Sequence, residues 1–494
     1  MRKHQYTTLI AGTALAFAAP IHAQEAAPTA APVTAVRVSA DGPLAHPATL
    51  YWGGYHNMAQ LVAPGAQWDF VKQNMDGFLF HFGYWLNDDF HGKEGDPIAV
   101  GTKLGRMLTP LHKKYIMEIG WPGGAASDGA FDDMGGTAAT TFVGKIKKFQ
   151  GATGIQVNGV SAELRLFVYQ RVADHFPDYS PADVFATVTG APTGTGRTIA
   201  HPYWPTFITG MNKGLPGVDV NLTCPPIYLK WDDFWAAGPD ITYKGHPATD
   251  NVKFNARIMF DALLATNTKG YIADSPYGLF SNPVYVKLGY RAKLLAMQNR
   301  IRGKHKTFSL IINNGQDETL PPDQWDEKYK QDSLNSLQGF QAIGGRADRY
   351  ILESWYSGPH AIVPETKEGS FTNLVRDAIK YLKGPGETLS LTAGAPMPAR
   401  QGRVRTVSLT NRGDVACMPV LSASSSAWRV QYESKDITPD ISSPAGYVLT
   451  GLVAPGATVT FTAAPSSGAG PLKLNAYWNP QDPSGKPRAS VTLR

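Results

Sequence analysis

Cysteine is almost absent: the 494 residues hold two, Cys224 and Cys417. Two thiols cannot build a disulfide framework, and nothing beside either one has Cys/His metal spacing. An oxidising compartment would permit one bond between them. They fall in what read as different domains, so two separate buried thiols fit as well. Charge is also sparse, at 17 % of residues with a formal net charge of +6. The basic residues are scattered apart from Lys145 to Lys148 and Arg300 to Lys306, which read as solvated helix faces, so no nucleic acid is expected as a partner. No GxGxxG or GxxxxGK[ST] follows any apolar run, which removes the main support for a nucleotide-binding open sheet. Nor is there a GxSxG elbow to hold a serine nucleophile.

Long apolar runs are missing too, except at the start. Arg2 and Lys3 precede an apolar run from Leu9 to Ala19 and a small-residue signature, Ile21-His22-Ala23. That order reads as a secretory signal peptide over residues 1–23, so the mature chain is expected to be periplasmic or secreted. The alternative is a membrane anchor, but the run is shorter than the ~20 residues that span a bilayer. No stable membrane insertion is expected after cleavage. Residues 24–45 are rich in Ala and Pro and suit a spacer.

From Thr49 onward, short apolar runs alternate with helical stretches. The runs are Thr49 to Trp52 (turning at Gly53-Gly54), Gly77 to Gly83, Tyr115 to Gly120, Gly154 to Ser161, Val184 to Val188, Gly217 to Asn221, Gly270 to Asp274, Thr307 to Asn314 and Tyr350 to Leu352. This alternation predicts an α/β fold, a (β/α)8 TIM barrel over residues 46–385. A closed barrel needs eight strands and these are nine candidates. Either the Val184 or the Val218 run lies outside the barrel, or Tyr51 belongs to a peripheral piece. After Gly384-Pro385-Gly386 the helical pattern gives way to short alternating runs such as Arg405 to Leu409, Trp428 to Tyr432 and Leu472 to Trp478. Residues 386–494 therefore read as an antiparallel β-sandwich domain, packed on the barrel for support or binding carbohydrate.

The stretch Arg349 to Lys383 organises the rest: a strand that delivers Glu353 and Trp355, a loop, then Leu374, Ala378, Ile379 and Leu382 at helical spacing. In a parallel barrel the C-terminal strand ends converge on one mouth, where active sites sit. The other strand ends carry aromatics and polar groups together: Trp52 and Tyr55, His81 and Trp85, Glu118 and Trp121, Glu163, Asp219 and Asn221, Asp274, Asn313 and Asn314. Aromatic faces cover the C–H faces of a sugar ring while Asp, Asn and His bond its hydroxyls, so such a mouth suits a saccharide. Core packing is the competing role for any one aromatic.

Glycosidic bond cleavage needs two carboxyl groups, one to protonate the leaving oxygen and one to act as nucleophile or base. Glu163 is expected as the acid and Glu353 as the nucleophile or base, with Glu118 and Asp274 in reserve. Each is also a candidate for a structural ion pair, Glu163 with Arg165 and Glu353 with Arg349. A metal-dependent hydrolase using His81, Asp88, Asp89 and His91 competes, although their spacing matches no compact motif. No cofactor is expected.

The run Ile351-Leu352-Glu353-Ser354-Trp355, followed by Gly358, Val363-Pro364-Glu365 and a final helix, resembles the last barrel strand of retaining endo-acting mannosidases and related glycoside hydrolases. In those families a strand end of the type (S/A)-(F/W)-N-E-W-x-E-G precedes a further acidic residue and the last helix. This chain departs from it: Leu352 stands where the Asn would be, and Tyr356 where the second carboxylate would be. The resemblance implies a TIM-barrel glycoside hydrolase acting on an oligo- or polysaccharide, with the second carboxylate found elsewhere, at Glu163. A saccharide-binding barrel without catalysis is the other reading.

Overall fold

The computed structural model describes residues 48–494 apart from 55–57, 82–95, 120–133, 164–171, 173–174, 191–195, 225–263 outside four two-residue strands, 265, 276–289, 314–333, 355–361, 385–388, 400–401, 444–445, 450 and 483. Eight parallel strands close into a barrel. They are β1 (Thr49–Gly54), β2 (Gly77–His81), β3 (Lys114–Glu118), β4 (Gly159–Glu163), β5 (Asp219–Cys224), β6 (Gly270–Ser275), β7 (Thr307–Asn313) and β8 (Arg349–Ser354). The last strand closes the ring on the first, Ile351 opposite Tyr51 and Glu353 opposite Gly53.

The apolar runs are continuous because both faces of each strand are covered. Tyr51, Leu79, Ile116, Ile272, Ile311 and Ile351 form a cluster inside the ring. Their strand neighbours Trp52, Phe78, Phe80, Tyr115, Phe308, Tyr350 and Leu352 belong to the larger core outside it, under the helices. The side-chain period of two thus assigns every strand residue to the lumen or to the helix layer.

The ninth candidate strand is a helix. Val184 to Val188 lies in the helix Pro181–Thr189, which opens with a capping box in which Ser180 and Asp183 satisfy each other's backbone N–H groups, and closes at Gly190 in the left-handed conformation. Ser-Pro-x-Asp before an apolar run, and Gly after it, are helix punctuation, and this local chemistry overrides the β-branched composition. Gly53-Gly54 is likewise not a turn but the end of β1.

Other helices include α1 (Asp69–Asn74), α2 (Tyr290–Gly303) and, after the last barrel strand, α3 (Phe371–Lys383). The apolar positions of α3, Leu374, Ala378, Ile379 and Leu382, are all buried. Glu365, the acidic residue that follows the last strand, ties the two ends of the barrel together. Its carboxylate accepts from the backbone N–H groups of Phe70 (3.1 Å) and Val71 (2.9 Å) in the first turn of α1. Negative charge on orphan N–H groups stabilises a helix start. Glu365→Ala is expected to cost about 1–2 kcal/mol of stability and to leave kcat unchanged, as thermal unfolding and steady-state kinetics would show.

The C-terminal residues form two antiparallel sheets. One includes Leu389–Ala393, Gly402–Asn411, Trp428–Tyr432 and Thr458–Pro465, the other Val420–Ala423, Leu472–Tyr477 and Ala489–Leu493. Trp428, Phe461, Leu474 and Trp478 fill the core around them, together with Cys417. Cys417 is a buried free thiol, which burial pushes up to about 12. The sandwich also completes α3. The last carbonyls of that helix receive Trp478 Nε1 and Asn479 Nδ2 at Tyr381 (2.7 and 2.8 Å), Asn479 Nδ2 at Leu382 (2.9 Å) and Arg488 Nη2 at Lys383 (2.8 Å). Carbonyls that no helix can satisfy internally are thus capped by residues that follow the C-terminal strand Leu472–Tyr477. Among the described residues no helix is long and apolar enough to cross a membrane.

Candidate active site at the barrel mouth

The carboxylates of interest stand at the C-terminal strand ends because strand parity puts them there. Glu353 has the lumen parity of Ile351, two residues earlier, and is 1 % exposed. Glu118 follows Ile116 in the same way and is 5 % exposed. Asp274 follows Ile272 and is half-buried. Glu163 ends β4 two residues after Ser161, and its backbone pairs with Thr223. His81 pairs with Glu118 across β2 and β3, and Asn313 with Glu353 across β7 and β8. In the closed order β1-β8-β7-β6-β5-β4-β3-β2, strands β4 and β8 are four steps apart in either direction. The strand ends bearing Glu163 and Glu353 are therefore on opposite walls of the mouth.

Sequence reasoning missed what makes room for Glu353. Gly53 is its register partner on β1, and a Cβ there would lie 2.9 Å from Glu353 Cβ and 3.1 Å from its Cα. No side chain fits between those strands without moving Glu353. Gly53→Ala is expected to lower kcat by about 10-fold or more, since a misplacement of about 1 Å at a reacting group costs up to ~10². Thermal stability measured alongside would separate this from unfolding. The signal was in the sequence, in the pair Gly53-Gly54, but a turn also demands glycine. Below the mouth, the hydroxyls of Ser161 and Thr223 are hydrogen-bonded to each other across β4 and β5. Deeper still, the Arg349 guanidinium lies over the Tyr51 ring, 4.6 Å from its centroid, and burial raises the Tyr51 phenol. Among the described residues, Tyr51, Leu79, Ile116, Ile272, Ile311 and Ile351 fill the lumen beneath the strand C-termini.

Three expected sugar contacts are corrected by the structure. Trp52 is 0 % exposed and faces the helix layer, its ring centroid 5.9 Å from Phe78 and 5.5 Å from Phe371. It sits one residue off the lumen parity of Tyr51. Asn221 is in the middle of β5, buried, its amide donating to the carbonyls of Val160 (3.2 Å) and Asp219 (3.3 Å). Asp219 is the first residue of β5, at the end of the barrel remote from the mouth. The strand runs on to Cys224 instead of ending at Asn221, and that offset puts Asp219 at the far end of the barrel and Asn221 inside the strand. Tyr55, Trp85, Trp121 and Trp355 lie outside the described residues, as do Asp88, Asp89 and His91. Among the described residues no group of three or more His, Cys, Asp and Glu is placed to hold a metal ion.

No protein family and no curated protein matches the sequence. Solved structures similar to it include an endoxylanase from Clostridium papyrosolvens, 9 % identical over 87 % of this chain and 99 % of that one, with a TM-score of 0.37. An endo-β-1,4-mannanase from Thermotoga petrophila is 10 % identical over 91 % and 97 %, with a TM-score of 0.38. A putative lyase/mutase from Burkholderia cenocepacia also matches, 11 % identical over 63 % and 78 %, with a TM-score of 0.29. Glycoside hydrolases are thus among the structures this chain resembles. Likeness of this degree carries no chemistry from those proteins to this chain, and what the site does has to be argued from its own residues.

Proposed function

We propose that this is a secreted glycoside hydrolase that cleaves an oligo- or polysaccharide with Glu163 and Glu353, with Glu163 as general acid and Glu353 as nucleophile or base. The observation that supports this most is the placement of Glu353: a carboxylate 1 % exposed at the C-terminal end of β8, on the wall opposite the strand that ends in Glu163. A glycosidic bond held across the mouth then lies between the strand that ends in Glu163 and the strand that carries Glu353, the two residues this reading assigns to oxocarbenium-like cleavage. Glu163 gives its proton to the departing oxygen. Glu353, ionised, attacks the anomeric carbon or takes a proton from the attacking water. Asp274 and Glu118 are at hand to bond sugar hydroxyls, and the filled lumen beneath keeps the sugar at the level of the strand ends.

The test is release of reducing ends by the wild type and by Glu163→Gln and Glu353→Gln. Loss in both variants with unchanged thermal stability, and full wild-type activity in the presence of a chelator, is the expected outcome. Activity that survives in Glu353→Gln, or disappears with the chelator, would remove this reading.

A further inference from the structure

The fold gathers on one side of the barrel basic residues that the sequence spreads from Lys103 to Lys213. Three helices of the outer layer, Pro97–Leu108, Met134–Thr153 and Tyr203–Gly214, carry Lys103, Arg106, Lys145, Lys147, Lys148 and Lys213 and no acidic residue. The chain as a whole is close to balanced, with 46 Lys and Arg against 40 Asp and Glu, so overall composition does not account for three helices of one sign. All six residues are exposed. The helices are neighbours and run the same way. A Cβ at Gly101 of the first would meet Phe149 and Thr153 of the second, and one at Gly105 the Thr153 carbonyl. A Cβ at Gly210 of the third would meet Ala139 of the second, and one at Gly214 would meet Val143.

Helices between parallel barrel strands descend from the strand C-termini to the opposite end. The six basic residues, all in the second half of their helices, therefore lie on the half of the barrel away from the mouth. The helix dipole accounts for two of them, because Arg106 and Lys213 stand in a last turn, where a cation is favoured. Lys145, Lys147 and Lys148 do not, and none of the three helices has an acid in its first turn, where the same field would favour one. Lys145 and Lys148, three positions apart on one helix, also repel each other. The acids just before these helices are at the other end: Asp96 caps the first, accepting from the Ile98 N–H at 3.0 Å, and Asp133 directly precedes the second.

We propose that this face adsorbs the protein to an anionic phospholipid surface and leaves the mouth clear of it. Cationic side chains spread over the convex outside of three adjacent helices match negative charge spread over a plane. A linear polyanion is instead tracked by a charged groove. The exposed positions among the lysines, such as Thr140, Gly144 and Gly151, are small. They offer no large apolar group to enter the acyl region, so the attachment is electrostatic and reversible, without insertion.

The experiment is co-sedimentation of the purified protein with vesicles of equal parts phosphatidylglycerol and phosphatidylcholine, against vesicles of phosphatidylcholine alone. Sedimentation with the first and not the second is expected, and its loss as added salt shortens the screening length. The triple variant Lys145→Gln, Lys147→Gln, Lys148→Gln is expected to lose about 10²-fold in vesicle affinity, a few-fold for each charge. Its circular dichroism should be unchanged, since all three residues are exposed. A second triple variant, Lys367→Gln, Lys473→Gln, Lys486→Gln, makes the same change in net charge at exposed positions outside the three helices, and is expected to stay within a few-fold of the wild type. Equal sedimentation on both kinds of vesicle, none on either, insensitivity to salt, or equal loss in the two variants would overturn the assignment. So would binding of soluble polygalacturonate through Lys145, Lys147 and Lys148 with no sedimentation on phosphatidylglycerol, which would give the face to a polysaccharide.

Discussion

Glu353→Gln is expected to lower kcat by about 10²–10⁴-fold or more while leaving the fold intact. The amide keeps the volume and hydrogen-bonding reach of the carboxylate, so the packing against Gly53 is preserved. It removes the charge that attacks carbon or activates water, and positioned acid–base catalysis alone is worth about 10²–10⁴. Glu118→Gln is the informative comparison. Its strand, β3, is not opposite β8, so its substitution is expected to raise KM more than it lowers kcat. Equal collapse of kcat in both variants would mean that Glu118, and not Glu163, is the partner of Glu353. Initial rates over a range of substrate concentrations, with circular dichroism to verify folding, provide the check.

Trp52→Ala is expected to destabilise the protein by about 3–5 kcal/mol, the usual cost of deleting a large buried aromatic. The indole is fully buried among Phe78 and Phe371, so truncation leaves a cavity between β1 and α3. Below its unfolding range the variant should keep a near-wild-type KM. A sugar platform would behave in the opposite way, with KM raised and stability hardly touched. Denaturant unfolding and Michaelis–Menten kinetics on the same preparation distinguish the two.

Trp52 also shows where reading the sequence stopped. A run such as Thr49 to Trp52 announces a strand buried on both faces, and that much of the barrel was legible. Because both faces are apolar, nothing in the run says which parity faces the lumen. That choice is made by closure of the ring, which sets Tyr51 against Ile351 inside and Trp52 against Phe371 outside. The same holds at β5, where a strand read as ending at Asn221 instead continues to Cys224, and Asp219 moves from the mouth to the opposite end. Glu353 escaped the ambiguity because a carboxylate directly after Ile351-Leu352 and before a loop has few places to go except the strand end. The Val184 run is a helix for a different reason: its apolar content is strand-like, yet Ser180, Asp183 and Gly190 cap it at both ends. Local backbone chemistry outweighed side-chain preference there. Gly53 was visible as a residue but not as a function, because what it provides is space for a side chain three hundred positions further along.

The barrel alone does not fix the chemistry, since an eight-stranded parallel ring serves many reactions. The chemistry is argued from buried acid at the mouth, and the measurement that bears on it most directly is reducing-end release by the wild-type protein across a panel of polysaccharides. New reducing ends from at least one polysaccharide, accumulating with time and enzyme concentration, are the predicted result. Saccharide binding with no new ends from any member of the panel would contradict it, and would make the mouth a recognition surface instead of a catalyst.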